Sequence, residues 1–301
     1  MTKKYLHFAV VFKGSNLNYG EGVGNILSLK KMSSYGKNYS YMSRQALRYD
    51  IVRMLNEMYN YPLTPVAKSG NKADGVIQFE ESTTIQDYPE IDFFGYMKTS
   101  DGNKIRKAVI RITDAVSLEP FHNEMDFGTN KGLADRIENN VGNDIFQPEI
   151  HNSYYSYSIT CDLDKIGKDE IYDIDLDSAE KTQRLSNLLS AIKLLYRDIR
   201  GKRENLSPLL VIGGLYDSGN PFFYNRIKLS FTKEKTLIDT EMINSVLKIK
   251  VLNNTVGDRT ILGAVAGEFS NVDSIKINKD NTYDIEDFFV TLSENITTYY
   301  G

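Results

Sequence analysis

The chain has 301 residues, of which 41% are hydrophobic and 25% are charged. Such fractions are typical of folded globular proteins, so they exclude disordered, collagen-like and disulfide-scaffold classes and predict one core with elaborations. The single cysteine, Cys161, excludes an internal disulfide, and three histidines leave little for metal chemistry, so we expect no cofactor. No apolar run approaches the roughly 20 residues of a membrane helix, which predicts a cytoplasmic protein without membrane contact.

The formal net charge of -4 is unevenly distributed along the chain. Residues 1–53 contain nine basic and two acidic residues, a balance of +7, whereas the remaining residues carry -11. A basic surface on an acidic body favours an anionic ligand bound at one place. An equally good interpretation is a solvated face whose charges are compensated by acidic residues folded nearby.

The first predicted elements are a strand and a loop. Residues 6–12 are apolar and rich in β-branched and aromatic types, which predicts a buried strand. The glycine- and lysine-containing segment 15–41 then predicts a mobile basic loop. Its Gly20-Glu21-Gly22-Val23-Gly24 lacks the Lys-Ser/Thr ending of a P-loop and the spacing of a dinucleotide fingerprint, which indicates a flexible turn.

Helical periodicity begins after Ser43, a suitable N-cap residue. The apolar residues that recur at the spacing of one buried stripe are Leu47, Ile51, Met54, Leu55 and Met58. Arg48 flanks this stripe whereas Arg53 points away from it, which makes Arg48 the better ligand candidate. The alternative is that Arg44 and Arg48 are ordinary surface residues whose stems extend over the core.

The middle of the chain predicts a hairpin and a long projecting element. Residues 93–99 and 104–117 are predicted strands joined by a turn at 100–103. Residues 121–152 contain six Asn and three Gly with little apolar periodicity. Because loops of this length are usually functional or disordered, we expect a projecting binding element here.

The second half predicts further strands and helices, which gives an α+β fold class. Residues 154–162 alternate as a strand with Tyr155 and Tyr157 on one face. These rings belong to the core or, alternatively, stack nucleic-acid bases as in RNA-recognition folds. The other predicted elements are a helix over 179–200 capped by Gly201, strands over 209–216 and 225–231, and a helical tail over 284–300.

Several short motifs occur in order along most of the chain. The segment Tyr41-Met42-Ser43-Arg44-Gln45-Ala46-Leu47-Arg48-Tyr49 resembles the Ser-x-Gln-x-Leu-Lys/Arg element at the first helix of CRISPR-associated backbone subunits, the Cas-seven superfamily. Segments 116–120, 126–132 and 151–155 are similar to the DevR-type autoregulator branch of that superfamily, typical of subtype I-B, and Gly213-Gly214-Leu215-Tyr216 also fits. The chain therefore resembles the family over most of its length.

This resemblance implies a fold and a function. The fold would be an RNA-recognition-motif-like (ferredoxin-like) palm spanning residues 1–301, with a finger insertion at 60–107 and a thumb at 121–152. The protein would be a non-catalytic subunit that oligomerises along a CRISPR RNA in a type I interference complex, Cascade. Its partners would be the CRISPR RNA, the target DNA strand paired to that guide, neighbouring copies of itself and other Cascade subunits.

The expected RNA-binding residues have three origins. Ser43, Arg44, Gln45 and Arg48 lie in the family's guide-contacting helix, whose N-terminus would offer free amides to phosphate. Charge adds Lys13, Lys30, Lys31 and Lys37. The predicted thumb adds Met125, Phe127, Asn130 and Lys131, of which the apolar pair would wedge between bases or cap them.

Two questions remain open at this point. The net charge of -4 is unusual for an RNA binder: either an acidic flank meets the basic flank of the next copy, or only the RNA groove is positive. The competing function is a ribonuclease acting on guide or target RNA, for which His122 and Asp126 lie in a suitable loop. A transcriptional regulator is a third class, although no helix-turn-helix pattern is evident.

Overall fold

The computed structural model describes residues 3–68, 75–99, 102–137, 142 and 144–301. The helices in these residues are α1 (Arg44–Tyr59), α2 (Pro89–Phe94), α3 (Lys131–Ala134), α4 (Ser178–Lys193), α5 (Thr240–Leu247) and α6 (Ile285–Tyr300). The strands are β1 (Tyr5–Ser15), β2 (Tyr19–Val23), β3 (Ile26–Leu29), β4 (Lys31–Ser34), β5 (Lys37–Met42), β6 (Val66–Lys68), β7 (Ile77–Phe79), β8 (Tyr96–Lys98), β9 (Lys104–Arg106), β10 (Ile110–Ile112), β11 (Ala115–Ser117), β12 (Glu124–Met125), β13 (Gly128–Thr129), β14 (Ile145–Ile150), β15 (Asn152–Asp162), β16 (Lys168–Asp169), β17 (Ile174–Asp175), β18 (Tyr196–Ile199), β19 (Lys202–Asn205), β20 (Leu210–Tyr216), β21 (Leu229–Phe231), β22 (Thr236–Ile238), β23 (Lys250–Val251), β24 (Asn254–Thr255), β25 (Thr260–Ala264) and β26 (Thr282–Tyr283). None of the helices in the described ranges is both long and apolar enough to span a bilayer.

The strand β1 lies at the centre of a nine-stranded sheet. Its residues pair antiparallel with β15 from Tyr5 to Ser15 and with β20 on the other side. The order is β26-β25-β20-β1-β15-β11-β5-β4, and β10 also pairs with β15. The predicted buried strand is thus confirmed, because apolar residues on both of its faces are covered. Gly213 allows the tight pairing, since a Cβ there would lie 2.2 Å from the carbonyl oxygen of His7.

Two hydrophobic clusters cover the two faces of this sheet. On one face, Phe8 and Phe12 of β1 pack with apolar residues of α1, α4 and α6. On the other face, Ala9 and Val11 pack with residues of the segment 222–275, which includes α5. The alternation of β1 side chains therefore builds both halves of the core, and the predicted helical tail contributes four buried residues as α6.

The predicted helix after Ser43 is confirmed with one change in its buried stripe. The Ser43 side chain accepts a hydrogen bond from the amide of Ala46 at 3.3 Å, as an N-cap does. Leu47, Ile51, Met54 and Leu55 are buried, whereas Met58 remains 37% exposed. The helix ends because Asn60 adopts a left-handed conformation, and Pro62 follows it.

The prediction of a mobile loop over 15–41 is wrong. These residues form β2 and β3, which pair with each other, and then β4 and β5, which form a second hairpin. The strand β3 also pairs in parallel with β14, through Gln147↔Ile26 and Pro148↔Leu27. This partner lies about 120 residues away in the chain, which is why the local sequence gave no sign of it.

Several predicted boundaries also differ. The predicted helix over 179–200 ends at Lys193, and residues 196–205 form the hairpin of β18 and β19, with Arg200 and Gly201 at positive φ in the turn. Of the predicted hairpin of 93–117, only β8 and β9 pair with each other, and the turn residues 100 and 101 lie outside the described residues. Phe93 and Phe94 are the last residues of α2, and β10 and β11 pair with β15 instead. Of the predicted strand over 225–231, only Leu229–Phe231 is extended.

The aromatic residues of β15 belong to the core. Tyr155 and Tyr157 are each 1% exposed, and both rings pack against Phe12 at centroid distances of 5.7 and 5.9 Å. The alternative in which they stack nucleic-acid bases is therefore wrong. Cys161 lies on the same strand and is also fully buried, as predicted.

Buried charges bind the segment around α2 to the body of the protein. The Asp92 carboxylate accepts hydrogen bonds from Arg106 at 2.7 Å and from Arg184 of α4 at 3.0 Å. The amide of Gly167 donates to the same carboxylate. Because unpaired buried charges are costly, this network holds α2 and β9 in a fixed position against α4.

Candidate nucleic-acid interface

The N-terminus of α1 carries three of the expected ligand residues. The side chains of Arg44 and Gln45 are exposed, whereas Ser43 is buried by its capping role. The amide of Arg44 donates to a carboxylate oxygen of Asp114 at 2.7 Å. Ser43 and Asp114 thus accept two of the amides at this helix end within the protein, and a phosphate contact here stays a prediction.

The guanidinium group of Arg48 has partners within the protein. It donates to the carboxylate of Glu90 at 3.0 Å and lies 4.8 Å from the ring centroid of Phe94. Both contacts direct Arg48 toward α2. On this helix, Arg44 therefore presents the more accessible cation, a distinction that helix geometry alone did not make.

The four expected lysines fall into different surroundings. Lys31 forms an ion pair with Glu149 at 2.6 Å and lies 4.6 Å from the Phe121 ring centroid. Lys30 is half-buried, and Lys37 is exposed on β5. The remaining lysine, Lys13, shares the β1 face of Ala9 and Val11, opposite to α1, with its ammonium 5.4 Å from the ring of Tyr154.

The segment 121–152 is joined to the N-terminal hairpins. Its strand β14 pairs with β3, and β12 and β13 pair with β14 in a five-stranded sheet. Glu149 is the main side-chain link, because it accepts from the amide of Leu29 at 2.7 Å as well as from Lys31. The two regions that sequence reasoning selected separately thus form one structural unit.

The expected contact residues of this segment lie at its surface. Met125 and Phe127 are 41% and 61% exposed, and Lys131 is also exposed. Asn130 has a structural role, since its amide donates to the Asp144 carboxylate at 2.9 Å and its oxygen accepts the Asp144 amide. Residues 138–141 and 143 of the predicted thumb lie outside the described residues.

A buried polar network fixes the base of the unit. The Ser40 hydroxyl lies 2.7 Å from Nδ1 of His151 and 2.7 Å from the Tyr155 hydroxyl. Burial lowers the pKa of His151 and raises the pKa of Tyr155 to about 12, so both side chains are held neutral near pH 7. The β4–β5 hairpin is thereby attached to the core strand β15.

Sequence reasoning missed the basic hairpin of β18 and β19. Arg197 donates to the carbonyl oxygen of Leu17 at 2.9 Å, and the guanidinium of Arg200 lies 5.4 Å from the ring of Tyr19 and 5.6 Å from that of Phe146. A cavity of about 160 Å³ lies between these elements. The sequence did contain one sign of this hairpin. Arg200-Gly201 stands between two polar segments, and two-residue hairpin turns favour glycine at positive φ.

The two residues of the ribonuclease alternative line different cavities. His122 lines a cavity of about 320 Å³ together with Glu119 and His151, whereas Asp126 lines the cavity beside Arg200. The structure therefore does not bring His122 and Asp126 together as an acid–base pair. In the part of the chain that the structure describes, no group of three His, Cys, Asp or Glu side chains could hold a metal ion.

Comparisons with known proteins concern both the sequence and the fold. A family model described as "CRISPR-associated negative auto-regulator DevR/Csa2" matches residues 6–232. The "CRISPR-associated protein Cas7/Cst2/DevR" of Myxococcus xanthus (strain DK1622) is 25% identical over 159 residues, which are 47% of this chain and 51% of that protein. The chain thus spans about half the length of this curated relative.

Two solved structures share the fold over nearly the whole chain. One is a chain of a "CRISPR RNA-guided surveillance complex, pre-nicking", with a TM-score of 0.64, 11% identity, and coverage of 97% of this chain and 100% of that one. The other, of a "CRISPR RNA-guided surveillance complex", has a TM-score of 0.60, 14% identity, and coverage of 95% and 99%. Since the family model covers well over half of the sequence, the chain belongs to the DevR/Csa2 family of CRISPR-associated proteins.

Proposed function

We propose that this protein is a non-catalytic subunit that binds CRISPR RNA and oligomerises along it in a type I interference complex. The observation that carries the proposal is the family match over residues 6–232. The similarity of fold to chains of RNA-guided surveillance complexes supports it. The proposed partners are the CRISPR RNA, the target DNA strand paired to it, neighbouring copies and other subunits of the complex, in the cytoplasm.

The proposal includes an RNA-recognition-motif-like core. Its four strands would be β20, β1, β15 and the β10–β11 pair, which neighbour one another in that order. The helix α1 follows β1, and α4 follows β15, so the chain order is β-α-β-β-α-β, the ferredoxin-like pattern. Residues 60–107 are the proposed finger insertion and 121–152 the proposed thumb on a palm formed by the rest of residues 1–301.

The RNA would follow the unit formed by the N-terminal hairpins and residues 121–152. Exposed cations at Lys37, Arg44 and Lys131 support phosphate contacts there, and the exposed Phe127 supports a contact with bases. Arg48 as an RNA contact stays a prediction, and its ion pair with Glu90 is the reason we place the main phosphate contact of α1 at Arg44.

A binding function is favoured over RNA cleavage by the arrangement of titratable groups. His122 and Asp126 line separate cavities, and His151 is already hydrogen-bonded to Ser40. Cleavage of RNA without a metal needs an acid and a base on opposite sides of one phosphate. We therefore propose that neither guide nor target RNA is cut by this chain.

The test is expression together with a CRISPR array and companion subunits, followed by purification and analysis of bound RNA. We expect RNA of discrete, guide-like length in a large assembly, and intact target RNA after incubation with and without magnesium. An Asp126→Ala variant should behave as the wild type does. An RNA-free monomer would contradict the binding function, whereas regularly spaced cuts that disappear in Asp126→Ala would contradict the non-catalytic assignment.

A further inference from the structure

The hairpin of β4 and β5 carries a fully exposed tyrosine at its tip. Tyr35 is 100% exposed, and with Gly36 it forms the two-residue turn between the paired residues Ser34 and Lys37. Both turn residues have left-handed backbones, with φ of 50° for Tyr35 and 72° for Gly36. Asn-Gly or Asp-Gly normally occupies such turns, because larger side chains disfavour this conformation. An exposed ring on a left-handed turn residue is a candidate for a contact outside the chain.

One face of this hairpin is bound to the body of the protein. Lys31 on β4 pairs with Glu149, and the Ser40 hydroxyl on β5 contacts His151. Near the tip, the carbonyl oxygen of Asn38 accepts the amide of Phe121 at 2.7 Å. The hairpin is therefore held in place from its base almost to its turn.

The opposite face carries aromatic and basic side chains in a row. Lys37, Tyr39 and Tyr41 alternate with the anchored residues of β5 and so share this face. Lys37 is exposed, and both tyrosines are half-buried. Tyr35 lies at the tip of the same hairpin, next to Gly36 and Lys37. We name Tyr35, Lys37, Tyr39 and Tyr41 the hairpin row.

The surrounding charge indicates what this row binds. Between Glu21 and Asp50 the sequence contains five lysine or arginine residues and no acidic residue. Two of the five are paired with Glu149 and Glu90, and the positive charge that attracts a polyanion here comes from Lys30, Lys37 and Arg44. Alternate residues of a strand lie about 6.8 Å apart, which an extended, unstacked single strand can follow. Aromatic rings beside cations on a strand are the usual means of holding single-stranded nucleic acid without sequence preference.

We infer that the hairpin row is a stacking platform for bases of single-stranded RNA, with Tyr35 stacking on a base at the hairpin tip. The inference rests on the proposed function and assigns base stacking to the β4–β5 hairpin, whereas the sequence offered base stacking on β15 as an alternative. Lys37 contacts phosphate beside the stacked bases.

The first test is the variant Tyr35→Asn, measured with an oligouridylate single strand. Asparagine suits the left-handed turn, so the melting temperature should stay equal or rise. The RNA affinity should fall roughly tenfold, the loss of one stacked base, while the slope of log affinity against log salt stays unchanged because tyrosine is uncharged. The matched variant Lys37→Gln should instead lower that slope by about 0.7.

A Tyr35→Asn variant with wild-type affinity would overturn the platform. A changed salt slope in this variant would overturn it too, since it would mean that the phosphate contacts had changed and that Tyr35 has no separate contact with a base. The wild-type chain is measured beside the variant, which separates failure of the platform from failure of the proposed function. A wild type that binds RNA as tightly as the variant does removes only the platform, whereas a wild type that binds no RNA removes both proposals.

The second test uses the absence of tryptophan from the chain. Tyr35→Trp introduces a single fluorophore at the tip, and Tyr224→Trp introduces one at a surface site that is 42% exposed. Saturating oligouridylate should quench the emission at position 35 and leave position 224 unchanged. Equal emission of both variants with and without bound RNA would overturn the inference. An emission change at position 35 that follows protein concentration alone would overturn it as well, because the tip would then contact another copy.

Discussion

The strands β15 and β5 both carry tyrosines at a two-residue spacing, yet these tyrosines lie in different surroundings. Tyr155 and Tyr157 of β15 are 1% exposed beneath the helices, whereas Tyr39 and Tyr41 of β5 are half-buried. β15 lies beside the central strand, and β5 is next to the edge strand β4. The spacing determines which residues share a face, and the position of the strand determines whether that face is covered.

The largest expected difference is in stability. Tyr155→Ala should lower the free energy of unfolding by about 3–5 kcal/mol, because it empties a buried site against Phe12. Tyr39→Ala should cost at most about 1 kcal/mol. Urea denaturation of both variants beside the wild type measures the two values, and equal losses would contradict the contrast between the strands.

The hydroxyl of Tyr155 should make stability sensitive to alkali. Its pKa is raised to about 12 by burial, above the ordinary value of 10.0, so the unfolded chain loses the proton first as pH rises. Its contribution to stability is complete below pH 10 and decreases above it, by about 1.4 kcal/mol at pH 11. Tyr155→Phe should reduce the loss of unfolding free energy between pH 9 and pH 11 by this amount. Identical pH profiles of the variant and the wild type would show that the Tyr155 hydroxyl does not cause the loss.

Replacing the neighbouring Tyr157 by phenylalanine should not lower the stability of the protein. Its hydroxyl is buried, and no hydrogen-bond partner for it is found among the described residues. Tyr157→Phe removes an unsatisfied polar group, so the free energy of unfolding should stay equal or rise by up to about 1 kcal/mol. A loss above 1 kcal/mol in urea denaturation would reveal a partner for that hydroxyl.

The smallest expected effects concern two arginines of α1, of which Arg44 is exposed and Arg48 is held by contacts within the protein. Arg44→Ala should leave stability within about 0.5 kcal/mol and lower the salt slope of RNA affinity by about 0.7. Arg48→Ala should cost up to about 1 kcal/mol of stability, through Glu90 and Phe94, and lower the slope by less than Arg44→Ala does. The reverse pattern would place the phosphate contact at Arg48.

Local sequence signals predicted the elements whose partners are nearby or whose burial is complete. The apolar run of β1, the Ser43 cap of α1 and the alternation of β15 were all readable without knowledge of the fold. The family resemblance added the function, and the family match confirms that resemblance.

The features that were missed depend on distant partners. The β3–β14 pairing joins Ile26 to Gln147, and the contact of Arg48 with Glu90 crosses 42 residues, so neither follows from local periodicity. The hairpin after α4 is a different case. Its Arg200-Gly201 turn was a local signal, but the apolar Leu195 and Ile199 continued the helical spacing and concealed it.

The central place of β1 has a consequence for synthesis of the chain. Both of its partner strands come late, since β15 begins at Asn152 and β20 at Leu210. At about 5–20 residues per second, a ribosome needs roughly 7–30 s to extend the chain from β1 to the end of β15. During that interval this apolar strand, which is buried in the folded protein, lacks both of its partners. Chaperone capture of nascent chains should therefore peak before residue 162 emerges and then decline.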